Sequence, residues 1–154
     1  MARYGKSDQF PLIYLTMNKE NIYNTLGELL YRKPEIEFAY VFGSFVKSGL
    51  YYDIDIAVYL ARDFNTRANN QFPYGYESSL ISEIMLLLKT EQIDLLVLNK
   101  AGLLLQKRII NSGHLLFERE KYNRIKYENY VRKLYIDTEP IRKIKLYYLS
   151  KQAV

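Results

Sequence analysis

Apolar positions with helical spacing define the first predicted element of this chain. Asn18 can accept a hydrogen bond from the backbone at the start of a helix, so we place a helix N-terminus there. Pro34 cannot continue a helix, and the helix is therefore expected to end near Arg32. The apolar residues that recur on one face of this segment are Ile22, Leu26, Leu29 and Leu30.

The same criterion predicts four further helices, which make the second half of the chain mainly helical. Thr138 stands before Glu139-Pro140, a sequence typical of a helix start, and it begins the last of them. The predicted helices cover residues 77–89, 103–110, 117–135 and 138–150, with an Asn-rich loop at 62–75 and a turn at Gly113.

Three segments alternate or run apolar in the manner of β-strands, and helices lie between them. The segments are 36–42, 53–60 and 93–98, and the last is expected to be buried because it is almost wholly apolar. The alternation indicates an α/β domain with a helical tail. In the first strand, Ile36, Phe38, Tyr40 and Phe42 should share one face, and Glu37, Ala39 and Val41 the other.

Three carboxylates on these strands form the most informative chemical pattern. Asp53 and Asp55 are two residues apart, so both side chains point to one face, about 6–7 Å apart along the backbone. Asp94 is the only charged residue of its apolar run, and burial of an isolated carboxylate is costly unless a cation pairs with it. On neighbouring strands, these three residues could hold two divalent cations about 3.5–4 Å apart. We therefore predict a metal site at Asp53, Asp55 and Asp94.

A phosphate-binding turn is predicted just before the first two carboxylates. Gly43 has no Cβ, so a phosphate could approach its backbone closely. Ser44 is a good N-cap for a helical turn at 45–48, whose free amide groups favour an anion, and Gly49 would close that turn. Lys47 would add a mobile cation near the same anion, although a solvated loop lysine is an equally good interpretation.

Together these residues resemble the signature of polymerase-beta-like nucleotidyltransferases, and specifically of the minimal nucleotidyltransferase (MNT) antitoxins. Its elements are Gly43-Ser44, the pair Asp53-x-Asp55 and the strand carboxylate Asp94, while segments 93–101 and 111–119 are similar to the second half of MNT antitoxins. The resemblance covers roughly residues 18–150. Eight residues separate Ser44 from Asp53, a shorter spacing than is usual in the family.

The resemblance implies a polymerase-beta-like fold in a single domain, 1–154, with a small mixed sheet, flanking helices and basic C-terminal helices at 118–150. It implies that Gly43 and Ser44, with Lys47 nearby, bind the phosphates of ATP. It further implies that Asp53, Asp55 and Asp94 hold Mg²⁺, with two ions expected. The implied partner is a HEPN-domain RNase toxin, to a tyrosine of which AMP is transferred.

Other interpretations stay open at this point. An Asp-x-Asp pair is commonly just a polar strand edge, and Gly-Ser is a common turn. An MNT-type antitoxin could also neutralise its toxin by covering it, with catalysis weakened by the short loop. The acceptor could instead be a small molecule such as an aminoglycoside, or an RNA 3′ end. His114, the only histidine, is expected to be partly buried in a structural role.

Composition and charge narrow the class of protein. A chain of 154 residues with 49% hydrophobic content can bury one real core, and the absence of cysteine excludes disulfides and thiolate metal sites. No apolar run approaches membrane-spanning length, so a cytoplasmic location is expected. Residues 1–100 hold 10 Lys and Arg against 12 Asp and Glu, whereas residues 101–154 hold 12 against 5. The basic tail is expected to contact a partner protein, with nucleic acid possible but not favoured.

Overall fold

A four-stranded sheet between two groups of helices forms the core of the computed structural model, which describes residues 18–48, 52–66 and 72–152. Gly49 and part of the 62–75 loop lie outside these residues. The elements in chain order are α1 (Lys19–Tyr31), β1 (Ile36–Phe42), α2 (Ser44–Lys47), β2 (Ile54–Leu60), α3 (Tyr76–Leu88), β3 (Ile93–Val97), a 3-10 turn (Leu98–Lys100), α4 (Leu103–Ser112), β4 (His114–Glu118), α5 (Lys121–Asp137) and α6 (Glu139–Gln152).

The sheet is mixed, with the strand order β3-β2-β1-β4. β1 runs antiparallel to both β2 and β4, whereas β2 and β3 are parallel neighbours. A parallel pair needs a crossover, and α3 supplies it between β2 and β3. The α/β fold with a small mixed sheet, predicted from the sequence, is therefore confirmed.

Helices cover both faces of the sheet, which explains why β1 and β2 are apolar almost throughout. One face packs against α1, α2 and α3, and its buried residues include Leu26, Phe45 and Ile84. The other face packs against α4 and α5, where Ile109 is buried and Tyr127 half-buried. Among the described residues, no helix is both long and apolar enough to cross a membrane.

The alternation predicted for β1 is wrong at its first residue. Ile36 packs in the same cluster as Ala39 and Val41, whereas Phe38 and Tyr40 pack on the opposite face. The pairing with β2 shifts register between Ile36 and Phe38. Such an irregularity adds a residue to one strand and reverses which side the following residues face.

The strand β4 was not predicted, and it is the largest difference from the sequence-based expectation. A helix was expected to begin at Phe117, but residues 114–118 form an edge strand and α5 begins at Lys121. A short apolar run cannot be assigned to helix or strand by periodicity alone. Here the free edge of β1 decides, because Val41 pairs with His114 and Phe38 with Glu118.

The remaining helices lie within two residues of their predicted bounds at each end, apart from the start of α5. The Asn18 side chain accepts a hydrogen bond from the Asn21 amide at 2.8 Å and caps α1 as expected. In α3, Leu80, Ile84 and Leu88 are buried, whereas Leu87 is exposed.

A charged network beneath α5 ties that helix to the sheet. The Tyr40 hydroxyl donates to Glu128 at 2.6 Å, and Arg124 donates to the same carboxylate at 2.7 Å and also to Glu118. Arg132 contacts the second oxygen of Glu128 at 3.2 Å. Burial alone would raise the pKa of Glu128, but these hydrogen bonds and charges outweigh burial and hold the pKa below its ordinary value. Glu128 is therefore a buried but satisfied anion.

Replacing Glu128 with Ala should lower the free energy of unfolding by about 3 kcal/mol, because it leaves Arg124 and the Tyr40 hydroxyl without their shared acceptor. Urea unfolding followed by circular dichroism measures this change. Asn129→Ala, at the next and exposed position of α5, is the matched control and should change stability by less than about 0.5 kcal/mol. Equal stabilities of the two variants would contradict a stabilising role for the network.

Candidate active site

Pairing of β2 with β3 brings the three predicted carboxylates together. Asp55 lies directly opposite Asp94 in the parallel register, and Asp53 precedes the first residue of β2. One carboxylate oxygen from each of Asp53, Asp55 and Asp94 lies within 4.8 Å of the other two. This spacing suits oxygen atoms that share one or two cations.

The cluster sits at the surface rather than in the core. Asp53 and Asp55 are half-buried, and Asp94 is exposed. The expectation that 93–98 forms a buried strand is therefore wrong at Asp94, because β3 is an edge strand of the sheet and ends at Val97. Exposure leaves one side of the cluster open to an incoming molecule.

Burial and the neighbouring negative charges both shift the pKa of Asp55. Burial, followed by the charges of Asp53 and Asp94, raises the pKa of Asp55 to about 6. All three donors are carboxylate oxygens, the hard ligands that Mg²⁺ and Ca²⁺ prefer. A bound divalent cation would remove the repulsion, so the residues present fit a metal of this kind.

The backbone at Gly43 is built around the Asp55 carboxylate. Gly43 has φ 74° and ψ −152°, a conformation that residues with a side chain rarely adopt. A Cβ at Gly43 would overlap the Asp55 Oδ2 atom and stand 3.0 Å from Cγ. Since Phe42 pairs with Asp55 across the sheet, the turn meets the carboxylate directly. From the sequence, the glycine was expected to let a phosphate approach the backbone. In the structure, the missing side chain makes room for the Asp55 carboxylate.

Ser44 and Lys47 both belong to α2, but not in the arrangement predicted for Ser44. Gly43 occupies the N-cap position, and Ser44 is the first helical residue, whose carbonyl accepts from the Ser48 amide at 3.0 Å. The prediction that the Ser44 side chain caps the helix is therefore wrong. Ser44 and Lys47 are both exposed, and Lys47 lies at the end of α2. Contact of either residue with a nucleotide stays a prediction.

A second lysine reaches this turn from α1. The Lys19 ammonium donates to the Ser48 carbonyl at 2.8 Å and lies 5.3 Å from the Phe45 ring centroid. Sequence reasoning placed this residue only as part of the first helix. No local signal could have revealed it, because packing of α1 against α2 brings Lys19 across 29 positions of the chain.

His114 lies next to this region, but the partial burial expected for it is not observed. It is exposed on β4, and its ring stacks on Tyr23 of α1 with 3.9 Å between centroids and 13° between planes. Position on an edge strand accounts for the exposure. The stacking supports a structural role.

A large open cavity lies elsewhere. It measures about 750 Å³ and opens between α4, α5 and the far end of β2, with Tyr59, Gln106 and Tyr127 in its wall. None of the candidate residues lines it. Ala57 is fully buried between Asp55 and Tyr59 on the same face of β2, so packed core separates the cavity from the carboxylates.

Comparison with known families explains this arrangement. Residues 24–122, more than half of the chain, match the family described as polymerase beta, nucleotidyltransferase. The chain belongs to this nucleotidyltransferase family. The matched part runs from α1 to the start of α5 and contains the whole carboxylate cluster with the Gly43 turn. No curated protein gives a significant match to the chain.

Solved structures share the fold of this nucleotidyltransferase. One is the tri-AMPylated Shewanella oneidensis HEPN toxin in complex with MNT antitoxin, with a TM-score of 0.65 and 22% identity over 85% of this chain and 98% of the other. A toxin–antitoxin structure with AMP-PNP gives 0.67 and 21% over 83% and 98%. The toxin–antitoxin MntA–HepT gives 0.64 and 21% over 86% and 99%.

Because the pKa of Asp55 is raised from 3.8 to about 6, its ionisation should destabilise the metal-free nucleotidyltransferase. The protonated group contributes fully to stability below its unfolded pKa, and this contribution is lost as the pH rises through 6. In EDTA, Asp55→Asn should therefore be as stable as the parent near pH 4 and more stable by ~1 kcal/mol above pH 6, after allowance for solvent screening. Thermal unfolding across this range measures the difference. Asp63→Asn, at an exposed carboxylate outside the cluster, should show no such rise.

Gly43→Ala should abolish stabilisation by Mg-ATP, because the added Cβ displaces Asp55. Gly75→Ala is the matched control, since Gly75 also has a positive φ, of 91°, but among the described residues no atom beyond its chain neighbours lies within 4 Å of a Cβ there. Both variants carry the backbone strain of about 1 kcal/mol, and only Gly43→Ala disturbs the cluster. Differential scanning fluorimetry with and without Mg-ATP compares them. Equal thermal shifts in the two variants would place the nucleotide away from Gly43.

Proposed function

We propose that this nucleotidyltransferase is an MNT-type antitoxin that transfers AMP from ATP to a tyrosine of a HEPN-domain RNase toxin. The observation that carries the proposal is the convergence of Asp53, Asp55 and Asp94 within 4.8 Å beside the Gly43 turn. Three like charges held this closely are unfavourable for stability alone, which supports a role in binding cations.

The carboxylate cluster is suited to Mg²⁺, with Asp53, Asp55 and Asp94 as ligands of two ions. When bound, Mg²⁺ would supply charge neutralisation for the triphosphate and electrophilic activation of its α-phosphate. The chain's own part is to hold the three carboxylates in a fixed arrangement. The paired backbones of β2 and β3 do this for Asp55 and Asp94.

The phosphates of ATP would lie against the turn between β1 and α2. Ser44, the exposed first residue of α2, is a candidate contact through its hydroxyl and its backbone amide. Two cations lie near α2: Lys47 is its last residue, and Lys19 of α1 contacts the Ser48 carbonyl just after it. They would attract the triphosphate before it is bound.

Asp94 is the group best placed to act as a base, because it is the exposed member of the cluster. In the proposed step the phenol oxygen of the acceptor tyrosine forms a bond to the α-phosphorus of ATP. The bond between the α-phosphorus and the oxygen that bridges to the β-phosphate breaks, and pyrophosphate leaves. The phenol proton passes to Asp94.

A macromolecular acceptor fits the open position of the site. Asp94 faces solvent, and the 750 Å³ cavity beside α4 and α5 is separated from the cluster by packed core. One solved structure of this fold is of a tri-AMPylated HEPN toxin in complex with MNT antitoxin, and another contains AMP-PNP. These relatives support a protein partner and an adenine nucleotide for this chain.

A second candidate function is neutralisation by occlusion without transfer. The short spacing of eight residues between Ser44 and Asp53 favours it, because a shorter loop gives fewer contacts to the nucleotide. The two candidates differ in stoichiometry. An enzyme inactivates an excess of toxin, whereas an occluding protein inactivates only an equal amount.

Incubation of the chain with ATP, Mg²⁺ and an excess of its proposed HEPN-domain toxin should add about 329 Da to that protein for each AMP transferred. Intact-mass spectrometry measures the addition, and the toxin's RNase activity should fall with turnover. Asp53→Asn with Asp55→Asn should abolish the mass change, while Asp63→Asn retains it. An unmodified toxin that is inhibited only at a one-to-one ratio would favour occlusion over transfer.

A further inference from the structure

The last helix, α6, buries none of its own residues in the described structure. Six large apolar side chains on it are each between 50% and 67% exposed, which is unusual for a helix of 14 residues. An isolated helix of this length is only marginally stable in water. The exposed side chains are Ile141, Ile144, Leu146, Tyr147, Tyr148 and Leu149.

These apolar residues surround the helix instead of forming one stripe. Four of them are consecutive at 146–149, and at 100° per residue they span about 300° of the helix circumference. Exposed apolar side chains in this number mark a surface that contacts another molecule. A helix that lies on a membrane surface instead separates its apolar and charged faces, and α6 does not.

The corner between α5 and α6 holds α6 at a defined angle. The Thr138 hydroxyl donates to the Leu134 carbonyl at 2.7 Å, and Arg142 donates to Thr138 at 2.6 Å. The guanidinium of Arg142 also stacks 3.6 Å from the centroid of the Tyr135 ring. These contacts present α6 as a preformed arm, which lowers the entropic cost of docking.

Charge indicates the kind of surface that would enclose this arm. α6 carries four cations, of which Lys145 and Lys151 are fully at the surface, and a single carboxylate, Glu139. A second copy of the helix would bring like charges together. Residues 1–17 carry Arg3 and Lys6 against Asp8, so they are not acidic either. The complementary surface is an apolar groove with an acidic rim.

We propose that α6 is the docking arm for the partner protein, and that it inserts into an apolar groove with an acidic rim on that protein. The identity of this partner as the toxin rests on the proposed function. The arm and the carboxylate cluster are separate, since α6 follows α5 and the cluster lies on β2 and β3. Docking through α6 raises the effective concentration of the acceptor at the cluster without taking part in transfer.

The test replaces apolar residues of the arm in the full-length chain. Leu146→Glu with Leu149→Glu keeps helix propensity and should weaken toxin binding at least tenfold in isothermal titration calorimetry. Lys145→Glu with Lys151→Glu should weaken it several-fold, with reduced salt dependence. The matched control is Leu86→Glu on α3, another exposed leucine, which should bind the toxin as the parent does. Toxin affinity within twofold of the parent in both α6 variants would overturn the proposal.

Kinetics distinguish docking from the transfer reaction. The α6 variants should raise the KM for toxin and leave kcat and the Mg-ATP thermal shift unchanged, whereas a fall in kcat alone would contradict a docking role. Toxin binding is also measured in the chain with Asp53→Asn and Asp55→Asn. Loss of binding through α6 variants in that background supports docking even if the parent transfers no AMP. Failure of the parent chain to bind the toxin would overturn docking.

Further measurements test whether something other than the toxin covers α6. Backbone amides of α6 should exchange more slowly when toxin is added, because docking stabilises the helix. Dimerisation of the free chain in light scattering that the Leu146→Glu, Leu149→Glu variant loses would indicate that a second copy covers α6. Exchange of α6 that is already as slow in the free monomer as in the toxin complex would indicate that the chain's own N-terminal segment covers it. Binding to phosphatidylserine vesicles that the Leu146→Glu, Leu149→Glu variant loses would indicate a membrane surface. Each of these results would overturn the proposal.

Discussion

The parallel register between β2 and β3 is the constraint on which the candidate site depends. Asp55 lies opposite Asp94 in that register, and a slip of one residue would turn Asp94 to the other face of the sheet. The register is held by burial, since Ile54, Ile56 and Val58 fill the core on the opposite face of β2. The hydrophobic core thus determines which carboxylates meet.

The same register brings three negatively charged carboxylates together, and they repel one another. Asp55 is half-buried beside two other carboxylates, so burial and repulsion raise its pKa to about 6. Gly43 leaves no room for a side chain between the turn and Asp55. By contrast, the anion Glu128 beneath α5 is fully paired with Tyr40 and Arg124. Glu128 therefore stabilises the fold, whereas the carboxylates of the cluster repel one another.

The carboxylate cluster and α6 serve different purposes in the proposed function. The carboxylate cluster is open at Asp94, which suits an acceptor that arrives on another macromolecule. The arm α6 exposes apolar side chains around its whole circumference and is held rigidly at Thr138. Recognition on α6 and chemistry on β2 and β3 would then be separable by mutation, because they share no residue.

Much of the fold and site could be predicted because the signals are local. The cap at Asn18, the Gly43-Ser44 turn and the Asp53-x-Asp55 pair each depend on residues a few positions apart, and side-chain alternation places the pair on one face. Three other features were decided by how strands that are distant in the sequence pair in the sheet. β4 exists because it completes the free edge of β1, the irregularity near Phe38 reverses the faces of β1, and Asp94 is exposed because β3 is an edge strand. Lys19 reaches α2 only through packing of α1. These features depend on contacts between residues far apart in the chain, and local sequence patterns do not reveal such contacts.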